Sequence, residues 1–111
     1  MGEVMFSIAR DFSPHPGPRF KDQGQNSGEM LRYKLARLLK QHPGVVTVDL
    51  DGTRGIGSSF LDEAFGGLVR SEGLAKDELI RRFKFRSFVD PSYIDEILDS
   101  IKRAVPERQP N

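Results

Sequence analysis

The amino-acid sequence predicts an α/β domain with the element order β-α-β-α-β-α. Three short stretches alternate apolar and polar residues, which is the period-two pattern of strands with one buried face. Each is followed by a stretch whose apolar residues recur at the spacing of amphipathic helices. Strands that alternate with helices need crossover connections, so we expect a mixed sheet or a wholly parallel one. Because the strands are not apolar on both sides, we expect the helices mainly on one face of the sheet.

The first strand is predicted over residues 3–8, where Val4, Phe6 and Ile8 share one face. The alternation then stops, and residues 9–25 are rich in proline and glycine, which predicts a long, irregular loop. Loops of this length in compact domains are often functional or mobile.

The first helix follows this loop, and either Asn26 or Ser27 is a suitable N-cap. Asn26 also has the capping-box spacing to Glu29. Pro43 and Gly44 end the helix. Its apolar stripe consists of Leu31, Leu35, Leu38 and Leu39, while Arg32, Lys34, Arg37 and Lys40 fall outside it.

The second strand, residues 45–50, is the most apolar of the three, which favours a central position in the sheet. A glycine-rich turn over residues 51–59 leads into the second helix. Ser58 or Ser59 is the natural N-cap, with Ser59 preferred, and Gly73 ends the helix. The apolar positions that fit the helical period are Leu61, Ala64, Phe65, Leu68 and Val69. The mid-helix glycines, which predict close packing of this helix on the sheet, are Gly66 and Gly67.

The last strand is predicted within residues 79–89, where Phe83 and Phe85 alternate with basic residues. The last helix opens at Asp90 and Pro91, with Asp90 as the cap and Pro91 at the first helical position. Its apolar face is formed by Ile94, Ile97, Leu98 and Ile101.

Length and composition exclude several classes of protein. At 111 residues we expect one domain, over residues 1–105, with a disordered tail over residues 106–111. The 17 basic and 16 acidic residues give a net charge of +1, which argues against a general polyanion binder.

The absence of cysteine excludes thiol catalysis, disulfides and cysteine zinc sites. His15 and His42 have no second ligand at metal spacing, so we predict no metal and no cofactor. No apolar run approaches a membrane span and no signal peptide is recognisable, so a cytoplasmic location is expected.

The glycine-rich turn has three interpretations, of which the first is a phosphate-binding loop. Gly52 and Gly57 have the GxxxxG spacing between a strand and a helix. Ser58 stands where the lysine of that motif belongs, so the match is weak. The dinucleotide-binding fingerprint also fails, because no third glycine follows Gly55 and Gly57 at the required position.

The second interpretation is a phosphohydrolase. Residues 48–53, Val-Asp-Leu-Asp-Gly-Thr, resemble the first motif of haloacid-dehalogenase-type phosphohydrolases. The resemblance implies Asp49 as the nucleophile and Asp51 as the acid that protonates the leaving group. It also implies Mg²⁺ and a positively charged side chain. The candidates for these roles are Asp90 and Asp95 as ligands and Lys76 as the cation.

The third interpretation covers residues 3–105. Residues 46–50, the loop that follows and residues 57–61 resemble the core of STAS domains, the fold of anti-sigma-factor antagonists. The sequence is closer still to a branch known as the STAS-like domain of unknown function, whose members share three segments. In this sequence those segments are Phe12-Ser13-Pro14-His15-Pro16-Gly17-Pro18-Arg19, Ser27-Gly28-Glu29, and Ser58-Ser59-Phe60-Leu61-Asp62-Glu63-Ala64-Phe65-Gly66-Gly67-Leu68.

This resemblance implies a non-enzymatic regulatory module that binds a protein partner. In the antagonists, a partner kinase of the histidine-kinase-like ATPase type phosphorylates the first serine of an Asp-Ser-Ser-Gly segment, and Ser58 falls on that serine. Here Gly57 replaces the aspartate and Phe60 replaces the glycine. The implied setting is a bacterial or mobile-element regulatory system.

The start of the second helix is also suited to docking on physical grounds. A helix N-terminus accommodates an anion or a phosphoserine, and glycines let a partner's backbone approach closely. The predicted docking residues are Arg54, Gly55, Gly57, Ser58 and Ser59. Arg19 joins them because the family-like pattern carries it, and its guanidinium can hold a carboxylate or phosphate bidentately. Pairing of Arg19 with Glu29 or Glu63 inside the fold is the alternative.

A basic patch is predicted on the last strand, where Arg82, Lys84 and Arg86 project from one face. It is interpreted first as a solvated face that discourages sheet-to-sheet aggregation. Docking on an acidic protein is the second interpretation and nucleic-acid contact the third. Since Phe83 and Phe85 point to the other face, no aromatic platform for single strands lies among these charges.

Overall fold

The structure, a computed structural model, describes residues 2–107 and contains one three-stranded parallel sheet within them. The strands are β1 (Val4–Ser7), β2 (Val46–Asp49) and β3 (Phe83–Arg86), in that order across the sheet. Val4 lies beside Val46, and Val46 beside Phe83. The predicted central position of the second strand is confirmed. The sheet is wholly parallel, so the mixed alternative is wrong.

Helices follow each strand as predicted, and one further helix lies immediately before β3. They are α1 (Gly28–Gln41), α2 (Ser58–Leu61), α3 (Gly67–Arg70), α4 (Lys76–Arg82) and α5 (Ser92–Arg103). A π-helical segment, Asp62–Gly66, joins α2 to α3, so that residues 58–70 form one uninterrupted helix, called here the central helix. Within residues 2–107, no helix is long and apolar enough to cross a membrane.

Helix α4 was not predicted, and it replaces the first residues of the expected last strand. Arg82 ends this helix, and its guanidinium donates to the carbonyl oxygens of Leu39 (2.9 Å), Gly44 (3.1 Å) and His42. Carbonyls at the end of a helix have no partner within the helix. Arg82 therefore caps the end of α1. The prediction that it projects from the sheet beside Lys84 is wrong.

The core lies against the sheet face that carries the alternating apolar residues. Val46, Val48 and Phe83 are buried there. The ring of Phe65 meets Phe83 and Phe85 edge-on, with centroid distances of 5.6 and 5.8 Å. The predicted helical core positions that are buried are Leu31, Leu35, Leu39, Leu61, Ala64, Phe65, Leu68, Val69, Ile97 and Ile101. On the other face of the sheet Met5 is 46% exposed and Lys84 is also exposed.

The segment before α1 is more regular than predicted, with a π-helical turn at Ile8–Phe12 and a 3₁₀ turn at Lys21–Gln23. Its carbonyl oxygens accept the free amides at the start of α1. The N–H of Gly28 donates to Pro18 (2.8 Å), and the N–H of Glu29 donates to Arg19 (2.9 Å). The loop thereby satisfies a helix terminus that would otherwise lack hydrogen bonds.

Ser27 is the N-cap of α1, since its hydroxyl accepts the N–H of Met30 at 3.1 Å. The proposed capping box of Asn26 and Glu29 is wrong. Asn26 has a φ of 56° and donates its side-chain amide to the His15 carbonyl. At the other end of the chain, α5 begins one residue later than predicted. Asp90 accepts the N–H of Ser92 there, and residues 108–111 of the predicted tail lie outside the described residues.

Gly28 is predicted to be intolerant of any side chain. An added Cβ would lie 2.5 Å from the carbonyl oxygen of Phe60, a backbone atom that cannot move aside cheaply. We expect Gly28→Ala to lower the free energy of unfolding by about 1–3 kcal/mol, measured by urea denaturation. Gly2→Ala is the control, since an added Cβ there meets nothing within 4 Å. Equal stability of both variants would contradict the close contact between α1 and the central helix.

Candidate functional site

The glycine-rich loop after β2 is fixed to the connection between β3 and α5. The carboxylate of Asp51 accepts the N–H of Phe88 (3.1 Å) and the N–H of Val89 (3.0 Å). The N–H of Ile56 donates to the hydroxyl of Tyr93 (3.2 Å). The N–H groups of Val89 and Phe88 hold the pKa of Asp51 below its usual range. Asp51 therefore acts as a tie between two loops and is poorly suited to donate a proton.

Residues 54–59, called here the serine segment, present the predicted docking residues together at the surface. Arg54, Ser58 and Ser59 are exposed. An added Cβ at Gly55 or Gly57 would meet no atom within 4 Å. The φ of Gly55 is 79°, a conformation that favours glycine. The backbone of this segment is thus open to close approach from outside.

Neither serine caps the central helix, contrary to the prediction. Gly57 is the N-cap, and Ser58 and Ser59 are the first two helical residues. The hydroxyl of Ser58 instead donates to the carboxylate of Glu96 on α5, at 2.5 Å. The helix starts two residues earlier than the preferred Ser59 cap predicts and one earlier than a Ser58 cap would place it. The Ser58 side chain bonds across to α5.

Arg19 lies beside the serine segment but is engaged within the fold. It belongs to an arginine–carboxylate cluster made of Arg19, Arg32, Arg70, Asp62, Glu63 and Glu72. The guanidinium of Arg19 lies 2.8 Å from Asp62 and 3.4 Å from Glu63. The internal pairing with Glu63 that the sequence left open is therefore present, while Glu29 bonds to the N–H of Lys21 instead.

The most buried pair of the arginine–carboxylate cluster joins α1 to the π-helical segment. The side chains of Arg32 and Glu63 are only 9% and 7% exposed, and they contact each other directly. Arg32 also donates to Glu72 at 3.0 Å. Every buried side-chain nitrogen and oxygen in residues 2–107 has a hydrogen-bond partner. The cluster of three arginines and three carboxylates is thus internally satisfied and neutral.

Gly66 and Gly67 make room for this cluster. A Cβ on Gly67 would lie 2.8 Å from Cδ of Arg32. A Cβ on Gly66 would lie 2.9 Å from Arg70 and 3.3 Å from the carbonyl oxygen of Ser100 on α5. The two glycines therefore serve packing between helices, and the predicted packing against the sheet is wrong.

Sequence reasoning placed Arg32 on the outer side of α1 and considered Glu63 only as a possible partner of Arg19. A signal was present, because Glu63 and Gly67 are spaced i, i+4 on the face that carries Phe60. A charged residue one turn from a mid-helix glycine, on a buried face, indicates an ion-pair partner from another element that packs over the glycine. The identity of that partner is not readable from the local sequence.

The residues assigned to a phosphohydrolase lie in more than one place: Asp49, Asp51 and Asp90 lie near the carboxyl ends of β2 and β3, whereas Lys76 lies apart from them. Asp49 accepts the N–H of Asp51 at 2.9 Å, and Asp90 is occupied at the start of α5. Lys76 donates to the carbonyl of Lys102, at the far end of α5. A 12-residue helix is about 18 Å long, so Lys76 lies far from Asp51. Among residues 2–107, no group of three or more histidines or carboxylates is placed to hold a metal ion.

The basic patch is smaller than predicted because Arg82 caps the end of α1 and is not part of it. Lys84 is exposed, with its ammonium 3.5 Å from Glu3. The guanidinium of Arg86 lies over the ring of Phe88, 5.4 Å from its centroid. The two remaining cations therefore have partners of different kinds and do not form a continuous basic stripe.

Comparison with known families agrees with this architecture. A model described as the STAS-like domain of unknown function (DUF4325) matches residues 27–93, from the cap of α1 to the start of α5. The chain belongs to this family. The suspected resemblance is confirmed, and the three-stranded α/β architecture is consistent with a STAS-like fold. No curated protein and no solved structure shows significant similarity to the chain.

The segment before the matched region of this STAS-like domain packs onto it. The ring of Phe12 lies 6.2 Å from that of Phe60, and Arg19 reaches Asp62 and Glu63. Two of the family-like segments therefore meet at the central helix. Their contacts are internal, which means that much of the family pattern maintains the fold.

Glu63 is predicted to be essential for stability. Glu63→Gln keeps the shape of the side chain but leaves the buried guanidinium of Arg32 with only the more exposed Glu72 as a charge partner. Breaking a buried ion pair on one side costs about 3–5 kcal/mol, and we expect a loss in that range on urea denaturation. The control is Asp99→Asn, whose exposed pair with Arg103 should contribute under about 0.5 kcal/mol. Losses of equal size would refute the special role of the buried pair.

Asp62 is predicted to make stability depend on acid pH. Burial alone would raise its pKa, but the hydrogen bonds and charges of Arg19 and Arg70 outweigh burial and hold the pKa below its usual range. Its stabilising contribution is therefore present above the usual value of about 3.9 and is lost as the pH falls through the lower folded value. The difference in unfolding free energy between wild type and Asp62→Asn should shrink from pH 7 to about pH 3. A constant difference would show that the carboxylate is not held ionised by these arginines.

Proposed function

We propose that this STAS-like domain is a non-enzymatic regulatory module that binds another protein through its serine segment. The single observation that carries the proposal is the open, fixed backbone of that segment. Gly55 and Gly57 leave space outside, while Asp51 anchors the loop to the connection before α5 and Ile56 anchors it to Tyr93 on α5. A surface that is already ordered costs less conformational entropy on binding.

The ion pairs within the arginine–carboxylate cluster support assigning the interface to the serine segment instead. The charges of the cluster are paired with one another, so we assign the cluster to holding the helices together. Arg19, predicted as a docking residue, is therefore given a positioning role, since it holds the preceding loop against the central helix. Arg54, which makes no ion pair within residues 2–107, remains the cation of the proposed interface.

Ser58 is the residue through which binding would be regulated. It is exposed at the start of a 13-residue helix, where the positive end of the dipole tolerates a phosphate. Its hydroxyl contacts Glu96, so a phosphate on Ser58 would place two negative charges together and push α5 away. The partner proposed from the resemblance to anti-sigma-factor antagonists is a histidine-kinase-like ATPase, in a bacterial or mobile-element regulatory system.

The proposal is tested with proteins that co-purify with the tagged chain from its native cell. Ser58→Asp and Arg54→Glu should each reduce capture of the partner, because one adds negative charge to the interface and the other reverses its cation. The matched control is Arg37→Glu, which reverses an exposed charge on α1. Undiminished capture by both interface variants would contradict the proposal.

The absence of catalysis is tested separately. A phosphatase assay with Mg²⁺ should show no turnover that depends on Asp49, because Asp51 is engaged by two backbone amides and Lys76 lies at the far end of α5. The assay compares wild type with Asp49→Asn at equal concentration. Turnover by the wild type that Asp49→Asn abolishes would establish an enzyme in place of a binding module.

A further inference from the structure

Helix α1 exposes apolar side chains outside the stripe that it buries in the core. An amphipathic helix of a compact domain buries one apolar stripe and is otherwise polar. Met30 and Tyr33 lie outside the buried stripe of α1 and are 43% and 37% exposed. Side chains three and four positions apart on a helix are neighbours, so residues 30, 33, 34 and 37 share one side. The described residues therefore leave a second face of α1 incompletely covered.

This second face of α1 borders an open groove of about 380 Å³, called here the Met30 groove. The residues that line the groove are Phe12, Met30, Tyr33, Lys34 and Arg37. Along α1 the two apolar positions come first and the two cations follow. The groove thus combines an apolar surface with positive charge.

The aromatic side chains of the Met30 groove are held in place by the fold. The ring of Phe12 packs against that of Phe60, with the centroids 6.2 Å apart. The hydroxyl of Tyr33 donates to the carboxylate of Glu29, one turn earlier on α1. A partner would meet a surface that is already ordered, which lowers the entropic cost of binding.

The cations of the Met30 groove have no charge partner within residues 2–107. Lys34 and Arg37 are exposed, and neither has a carboxylate within 4.0 Å among those residues. Lys40, one turn further along α1, is exposed and unpaired in the same range. The fourth cation of α1, Arg32, is buried and pairs with Glu63. The outer face of α1 therefore carries positive charge that the described fold does not use.

Two carboxylates adjoin the Met30 groove, and each lies beside a cation of its own. Asp11 is held by the guanidinium of Arg10 through two contacts, of 3.0 and 3.2 Å. Glu29 accepts the backbone N–H of Lys21 at 3.0 Å, and the ammonium of Lys21 lies over the ring of Tyr33. These acids are matched in number by these cations, so the two cations that line the groove remain in excess.

We propose that the Met30 groove binds an acidic protein segment that carries an apolar side chain. The apolar side chain packs on Phe12 and Met30, and the carboxylates pair with Lys34 and Arg37. This inference goes beyond the proposed function, because no residue of the groove belongs to the serine segment.

A nucleic-acid strand fits the Met30 groove less well than a protein segment. Binding of a single strand relies on open aromatic rings on which bases stack. The ring of Tyr33 is already covered by cations, with Arg32 5.0 Å and Lys21 5.6 Å from its centroid. The ring of Phe12 is packed against Phe60. The apolar surface of the groove is better matched by an aliphatic or aromatic side chain.

The test is a selection of random 12-residue peptides displayed on phage against the immobilised full-length chain. Phage that bind the double variant Met30→Ala, Arg37→Glu are removed first, so that the retained peptides depend on the groove. We expect retained peptides to be rich in aspartate or glutamate near leucine, isoleucine, methionine or phenylalanine. Their affinities are measured by fluorescence anisotropy, alongside that of a labelled 12-nucleotide single-stranded DNA.

Met30→Ala and Lys34→Glu should each weaken binding of the retained peptides about tenfold, as expected for interface anchors. The matched controls are on α4. Ile80→Ala removes an apolar side chain that is 42% exposed, and Arg81→Glu reverses an exposed charge. Both controls should bind the peptides as wild type does. Each variant changes an exposed side chain, and an unchanged thermal unfolding midpoint checks that it is folded.

The remaining outcomes would overturn the inference. These are no retained peptide, retained peptides that are basic, or undiminished binding to either Met30→Ala or Lys34→Glu. Tighter binding of the DNA than of every retained peptide, lost in Lys34→Glu, would assign the groove to nucleic acid instead. Ser58→Asp should leave the peptide affinities unchanged, which separates this result from the test of the serine segment. Loss of affinity in Ser58→Asp would place the peptides on that segment and overturn the inference.

Discussion

The buried ion pair between Arg32 and Glu63 is the interaction on which the rest of the structure depends. It joins α1 to the π-helical segment of the central helix, and both side chains are nearly inaccessible to water. Removing one partner of a buried ion pair destabilises a protein by several kcal/mol. The surrounding elements must therefore keep both side chains in place. Gly67 provides the space for the aliphatic part of Arg32, and Glu72 accepts its second hydrogen bond. A π-helical insertion often marks a site where a helix departs from regularity for a specific purpose, and here it turns carboxylates inward.

The segments that resemble the family pattern contribute to two kinds of feature. Ser27 caps α1, and Gly28 and Glu63 meet where α1 contacts the central helix, so these residues maintain the fold. The serine segment faces outward, at the end of the sheet where the strands terminate. Membership of the STAS-like family therefore accounts for the first kind, while the second kind forms the interface that we propose for a protein partner.

Local patterns predicted those parts of the fold that local forces determine. The alternation in β2 and the apolar stripes of α1 and α5 gave their positions, because burial of one face depends on near neighbours in sequence. Three of the misassigned residues have distant partners. Arg82 bonds to carbonyls about 40 residues earlier, and Arg32 pairs with a carboxylate 31 residues later. Ser58 likewise bonds to Glu96 on α5 in place of its own helix terminus. In each case a long-range hydrogen bond outweighed the local preference, and no single-sequence pattern encodes such a contact.

The central claim, that one coupled ion pair organises the fold, is tested most directly by a double-mutant cycle. The variants Arg32→Met, Glu63→Leu and the double substitution are compared with wild type by urea denaturation. If the pair is coupled as described, the double variant should lose about 2–3 kcal/mol less than the sum of the two single losses. Single losses that add to within about 0.5 kcal/mol would show that Arg32 and Glu63 act independently, and would contradict the account.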